Sequence, residues 1–259
     1  MDFYELVNNI YQIDKIENKR SHLNDFFVKE NFKKYEYDES IDEKSLKAIK
    51  YMFTSKHDLL QRADEALDMD PFCIEAIFVY YLFGADAYVY ILFKSYYDSI
   101  SSYPKYSIRE KTVYLNVLDF FVEFLLDIFN YTEAIKVEKL IIKLTNNIGL
   151  KEIDRLSTLY YAIEDDEEFY KLYCEVESLP LDSYILLMLT LLKHDEEYKA
   201  KQVLWDMQKN IKHSDYIDHI WDIKEDDKEL QEFYKDVDSC FEQICSVPYF
   251  FTWCSQNKK

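Results

Sequence analysis

Two glycines and four prolines in 259 residues constrain this chain more than any other feature of its sequence. Strand junctions need residues that tolerate positive φ or arrive with φ preset, so an all-β sandwich or barrel places Gly, Pro or Asn at nearly every turn. The same scarcity argues against P-loop and Rossmann enzymes, in which clustered glycines let the backbone approach a phosphate. What remains is a long, mostly helical chain. With 49% hydrophobic and 31% charged residues, it has enough apolar material to bury a core in one elongated domain or two smaller ones.

Charge narrows the class further. Thirty-one Lys and Arg face 50 Asp and Glu, a formal net charge of −19. Nucleic-acid affinity comes largely from cations that release counterions from phosphates, and anionic membrane surfaces repel such a chain in the same way. Direct nucleic-acid binding and membrane binding are therefore not expected. The segment Met1 to Ile10 carries Asp2 and Glu5 without a basic start and apolar run, so it does not read as a secretory signal. No window approaches the roughly 18 uninterrupted apolar residues of a membrane span. Five dispersed cysteines, Cys73, Cys174, Cys240, Cys245 and Cys254, suit free thiols in a reducing compartment better than a disulfide framework. A cytoplasmic location is expected.

Helical spacing opens the chain: Phe3, Leu6, Val7, Ile10 and Tyr11, then Leu23, Phe26 and Phe27. The polar stretch Lys33 to Asp42 reads as a loop before the main body. From Ser45 onward helical segments come in pairs, each about 28 to 41 residues from the next, the period of helix-turn-helix repeats. The clearest marker is Ala63, Ala66 and Leu67, then Asp70-Pro71 and Glu75-Ala76: small residues where two helices cross closely, then a proline that ends one helix and starts another. In these residues the chain resembles the tetratricopeptide repeat (TPR) family.

The resemblance implies a helix A with large apolar residues at its fourth, seventh, eighth and eleventh positions, and a helix B opening on an aromatic with a small residue three later. A repeat starting at Leu115 supplies Leu118, Phe121, Val122 and Leu125, then Tyr131 and Ala134; only Glu138 falls where an apolar residue is expected. One starting at Ile153 supplies Leu156, Leu159, Tyr160 and Ile163, then Phe169 and Leu172. One starting at Leu181 supplies Tyr184, Leu187, Met188 and Leu191, then Ala200, Leu204 and Met207. The repeat after Pro71 is poorer, with Gly84 at its fourth core position. The expected fold is all-α: a right-handed α-solenoid of antiparallel, TPR-like helix pairs over residues 41–210, with leading helices and a loop over 1–40 and capping helices over 211–259. An irregular helical bundle shares the same 3.6-residue period and is the structural alternative. The aromatic run Tyr249, Phe250, Phe251 and Trp253 is expected to pack back onto the last repeat.

Little in the sequence carries chemistry. His22, His57, His194, His213 and His219 form no spacing that puts two metal ligands on one helical face, and Cys240, Cys245 and Cys254 lack tight knuckles. There is no nucleophile elbow and no phosphate loop. No catalytic residue, metal or cofactor is expected. The acidic runs Glu164 to Glu168, Asp195 to Glu197 and Glu225 to Asp227 suit helix N-termini, where free N–H groups and the macrodipole favour negative charge.

The resemblance also implies which helix A positions line a ligand groove: the second, fifth, ninth, twelfth and thirteenth. These include Glu75 and Phe78; Asn116, Asp119, Glu123 and Asp127; and Asp154 and Tyr161. Together they would make an acidic groove with some aromatic surface, suited to a protein partner or a basic or amphipathic peptide. The expected function is thus a non-enzymatic scaffold or adaptor that binds protein or peptide. Two rivals remain: an acidic inhibitor or nucleic-acid mimic that blocks a nucleic-acid-binding protein, and a helical subunit of an enzyme complex.

Overall fold

The computed structural model describes residues 3–35, 41–101, 108–218 and 228–258, with the side chains of 4, 99–101, 108–112 and 228–229 left out. Part of the expected loop at 33–42, His219 and the acidic run Glu225 to Asp227 lie outside the described residues. Within them the chain forms α1 (Phe3–Tyr11), α2 (Ile16–Phe26), α3 (Lys29–Phe32), α4 (Glu43–Thr54), α5 (Leu59–Met69), α6 (Ile74–Leu82), α7 (Asp86–Ser101), α8 (Ile108–Asp127), α9 (Tyr131–Thr145), α10 (Leu150–Ala162), α11 (Asp166–Glu175), α12 (Leu181–Lys193), α13 (Glu197–Asn210), α14 (Lys228–Ser239), α15 (Phe241–Cys245) and α16 (Phe250–Asn257). No strand occurs among the described residues, as the scarcity of turn residues requires.

Local chemistry sets the helix ends. Asp42 caps α4, its carboxylate accepting from the N–H groups of Lys44 at 2.9 Å and Ser45 at 3.1 Å. Asp58 caps α5 and Asp165 caps α11 in the same way. At α10 the cap residue is Gly149, which has no side chain to offer; Glu152 reaches back instead and accepts from the Gly149 N–H at 2.9 Å.

One turn recurs four times. Gly84, Phe129, Glu164 and Asp195 adopt left-handed φ values of 71°, 58°, 55° and 60°. Behind each, the next N–H reaches a carbonyl five residues back: Ala85 to Tyr80, Asn130 to Leu125, Asp165 to Tyr160 and Glu196 to Leu191, at 2.8 to 3.4 Å. This is the helix C-terminal motif that normally selects glycine. It joins α6 to α7, α8 to α9, α10 to α11 and α12 to α13, so the first helix of each pair ends identically.

By this turn Tyr80, Leu125, Tyr160 and Leu191 occupy equivalent places in their helices. Of the expected core residues, Leu118, Phe121, Val122 and Leu125 are buried, as are Tyr184, Leu187, Met188 and Leu191, and Leu156, Leu159 and Tyr160. Ile163 differs: it lies beyond the end of α10 and is 37% exposed. Gly84 likewise occupies the turn, not a core position.

Two compact units make up the chain, Met1–Phe121 and Val122–Lys259, a division inside α8 that cuts across the expected 1–40, 41–210 and 211–259. In unit 1, α4 packs on α5 and α6, and α6 on α7, while α1 and α2 also lie against α6. The joints between the leading segment and α6 and α4 are aromatic: Phe3 meets Phe78 of α6 at 5.9 Å between ring centroids, Tyr11 stacks on Tyr81 of α6 at 5.4 Å, and Phe27 meets Phe53 of α4 at 5.0 Å. In unit 2, α10 packs on α9, α11 and α12, and α12 on α11, α13, α14 and α15. Both α6 and α12 are apolar nearly all round, the pattern of a helix buried on every side.

The chain's C-terminal end is fastened to α13. Phe250, Trp253 and Cys254 are buried, and the Trp205 indole N–H donates to the Asn257 carbonyl at 2.9 Å. Lys258 pairs with the carboxylate of Asp218 at 2.8 Å. The aromatic run therefore does pack back, with Tyr249 left exposed.

Candidate functional site

The expected groove residues divide between the units. Glu75, Phe78, Asn116 and Asp119 belong to unit 1; Glu123, Asp127, Asp154 and Tyr161 belong to unit 2. Several of the eight are engaged by neighbours from their own unit. Phe78 has no exposed surface and lies among Phe3, Phe93 and Phe120. Glu75 is buried as well; neither offers surface to a peptide. Asn116 and Asp119 are half-buried on α8, and Asp127 is exposed at its end.

Around Glu75 the partners are neutral. The Tyr35 hydroxyl donates to Oε1, and the Cys73 thiol donates to Oε2 at 3.6 Å. Burial pushes the Glu75 carboxyl above its ordinary value, more strongly than these hydrogen bonds pull it down. Burial likewise pushes the Cys73 thiol well up, helped by the nearby Glu75 charge. A buried carboxyl held by a tyrosine hydroxyl ties the leading segment to α6.

Glu123 is engaged in a different way. Its carboxylate pairs with Arg155 Nη2, while Arg155 Nη1 lies 3.5 Å from Oε2 of Glu138, whose side chain is fully buried. Glu138, the polar misfit in the repeat template, is thus matched by a buried cation on α10. A peptide lysine at Glu123 would have to compete with Arg155.

Asp154 lies at the packed joint of α10 and α12. It is on the exposed side of α10, beside Asp182 near the start of α12. Partial loss of water and then the Asp182 charge and hydrogen bond push the Asp154 carboxyl up to about 6, against the pull of Arg155. Cys240, buried where α14 ends, is pushed up to about 11, chiefly by burial and further by Asp182, Asp154 and Asp236. Asp236 and Glu232 of α14 share an open depression of about 510 Å³ with Leu181, Phe233 and the segment Asn210 to His213. No ion pair joins Asp154, Asp182 or Asp236 to a cation among the described residues.

Tyr161 marks the other end of this face. Lys193 lies 4.6 Å over its ring, and the Tyr161 hydroxyl meets Ser246 Oγ at 3.3 Å. Ser246 follows α15, and the Tyr249 hydroxyl reaches the Leu192 carbonyl at 3.5 Å. The chain's own C-terminal helices thus meet Tyr161 and the end of α12.

Two of the acidic runs fall at helix starts, with Asp165 capping α11 and Glu196 preceding α13. Many of these carboxylates are paired: Glu168 with Lys139 at 2.6 Å, Glu164 with Lys193 at 3.5 Å, Glu196 with Lys199 at 3.2 Å. Sequence reading missed Arg155, Asp182 and Tyr35. A partial signal for Arg155 was present, since Glu138 at an expected core position calls for either a cation or neutral donors nearby; Asp182 and Tyr35 are read only once the helices are packed. Among the described residues no group of three His, Cys, Asp or Glu side chains is arranged to hold a metal ion, and no helix is long and apolar enough to cross a membrane. No known family model matches the chain, and no curated protein or solved structure is significantly similar to it.

Proposed function

We propose that this chain is a non-enzymatic, TPR-like repeat protein of the cytoplasm that binds a protein or a basic, amphipathic peptide through an acidic helix A surface. The observation that carries the reading is the meeting of Asp154 on α10 with Asp182 on α12. Carboxylates crowded without a paired cation raise one another's proton affinity, and a Lys or Arg from a partner relieves that repulsion. Net charge of −19 adds long-range attraction for a basic ligand. The mimic alternative gains less from the structure, because carboxylates of the Glu164 and Asp195 runs are paired with lysines of the same unit rather than set out in bare rows.

The test is capture from host lysate at low and moderate salt, wild type beside an Asp154→Lys, Asp182→Lys double variant. A stoichiometric partner held by wild type and lost by the variant is the expected result. A partner retained equally by both contradicts the site, and a nucleic-acid-binding protein captured with steep salt dependence transfers support to the mimic reading.

A further inference from the structure

We propose that Glu75 is a pH-sensitive latch for the leading segment, residues 3–35: with its carboxyl neutral the segment stays shut over α4 and α6, and ionisation loosens it and uncovers their aromatic faces. The segment lies across the two helices as a strap. Phe3 meets Phe78 of α6 at 5.9 Å, and Phe27, Phe32 and Tyr35 all meet Phe53 of α4, at 5.0 to 5.6 Å between ring centroids. Among the described residues no backbone hydrogen bond joins the strap to another helix; side chains hold it. Arg62 of α5 donates to the Phe27 carbonyl at 2.9 Å, and Glu75 accepts from the Tyr35 hydroxyl, 40 residues away in sequence.

Glu75 is 6% exposed, and the groups that face it are neutral or negative. Tyr35 comes from the strap; the Cys73 thiol, 3.6 Å from Oε2, and the buried Asp70 come from the turn before α6. From α5, Asp64 and Asp68 face Tyr80 and Tyr88 instead, while Arg62 is taken up by the carbonyls of Phe27 and Met52. Tyr51 of α4 turns to Glu65 of α5, Lys94 of α7 pairs with Asp98, α1 presents Phe3 and Tyr11, and α2 buries Leu23. An ionised carboxylate here keeps its two donors but has no counter-charge. One hydroxyl and one thiol return less than the water it has lost. Water reaches it most readily where only side chains must part, which is at the strap.

With the strap open, Glu75 is an ordinary carboxyl near 4.5; with it shut, burial holds the carboxyl above that value. Opening is therefore independent of pH below about 4.5, grows easier as pH rises past it, and levels off once the shut form ionises too. The test is hydrogen exchange read by mass spectrometry on wild type, Glu75→Gln and Tyr35→Phe from about pH 5.5 to 8.5, each rate divided by that of an unstructured chain at the same pH. In wild type, protection of residues 3–26 is expected to fall about two- to tenfold across this range while that of α5 and α12 stays level. Glu75→Gln, which keeps an acceptor and carries no charge, stays level throughout. Tyr35→Phe keeps the ring and removes the donor that pulls the carboxyl down, so its fall is deeper than that of wild type.

A fall of equal size in Glu75→Gln, or none in wild type, overturns the latch. So does a fall shared by α5 and α6, which would mean that unit 1 opens as a whole rather than at the strap. If Glu75→Gln does not fold, Tyr35→Phe decides: a fall deeper than wild type supports the latch, and an equal or shallower one overturns it. The latch is independent of the acidic surface in unit 2, so its failure leaves the peptide-binding reading standing.

Discussion

In unit 1 the buried carboxyl of Glu75 meets a tyrosine hydroxyl and a thiol, whereas in unit 2 the buried carboxylate of Glu138 meets the guanidinium of Arg155. Both glutamates sit on helices of a packed interior, and both would cost several kcal/mol if left charged and alone. Unit 1 surrounds its acid with neutral donors, and burial raises its proton affinity; unit 2 brings in a cation that serves Glu123 and Glu138 together. The difference teaches that burial of an acid does not by itself forecast an ion pair. What decides is which residues the neighbouring segments bring within reach: Tyr35 and Cys73 in one case, Arg155 of α10 in the other.

The sharpest way to break this contrast is to remove the cation. Arg155→Met leaves Glu138 buried without its counter-charge, and the expected loss is about 3–5 kcal/mol in denaturant unfolding. Adding Glu138→Leu to that variant restores most of the loss, because an apolar pair can replace a buried ion pair. A loss below about 1 kcal/mol for the single variant would show that Glu138 and Arg155 are not energetically coupled.

Glu75 behaves oppositely with pH. Its folded pKa lies above the ordinary 4.5 because of burial. The unfolded chain therefore ionises first, and the stability present below about pH 4.5 is lost as pH rises through the folded value. Glu75→Gln keeps an acceptor for Tyr35 and removes the charge. It is expected to gain about 1 kcal/mol over wild type at pH 8 and nothing at pH 4. A variant less stable than wild type at pH 8 would mean that Glu75 is held ionised.

How much of this was legible beforehand differs by level. Helix pairing was readable because apolar spacing survives in Leu118, Phe121, Val122 and Leu125, and in Tyr184, Leu187, Met188 and Leu191, all of them buried. Register was harder, since an amphipathic helix matches a template equally well one turn early or late; Ile163 satisfied the pattern yet lies past the end of α10. The punctuation that settles register was muted by composition. Of the four equivalent left-handed turn positions, one is Gly84, and Phe129, Glu164 and Asp195 give no such signal. The expected groove failed as an open surface in unit 1 for a related reason. Nothing in the spacing of Phe78 distinguishes a residue that faces a ligand from one that faces Phe3 of the same chain.

Phe129 gives the smallest test. It holds a left-handed φ of 58° with its ring 75% exposed, so it carries backbone strain without burial in return. Phe129→Gly trades a left-handed penalty of roughly 1–2 kcal/mol against a glycine entropy cost of 0.5–1, for a net gain of about 0.5 kcal/mol. A loss in Tm instead would show that the ring is packed against something in solution.

Both units share one further property, which is that the ends of the chain cover the helices most in need of cover: α1 and α2 on α6, α14 and α15 on α12. Hydrogen exchange read by mass spectrometry on the intact protein tests this most directly. The account predicts strong protection in α6 and α12, and clear protection also in residues 3–11 and 241–254, well above the exposed turn at 127–130. Protected α6 and α12 beside end segments that exchange as fast as an isolated peptide would contradict it.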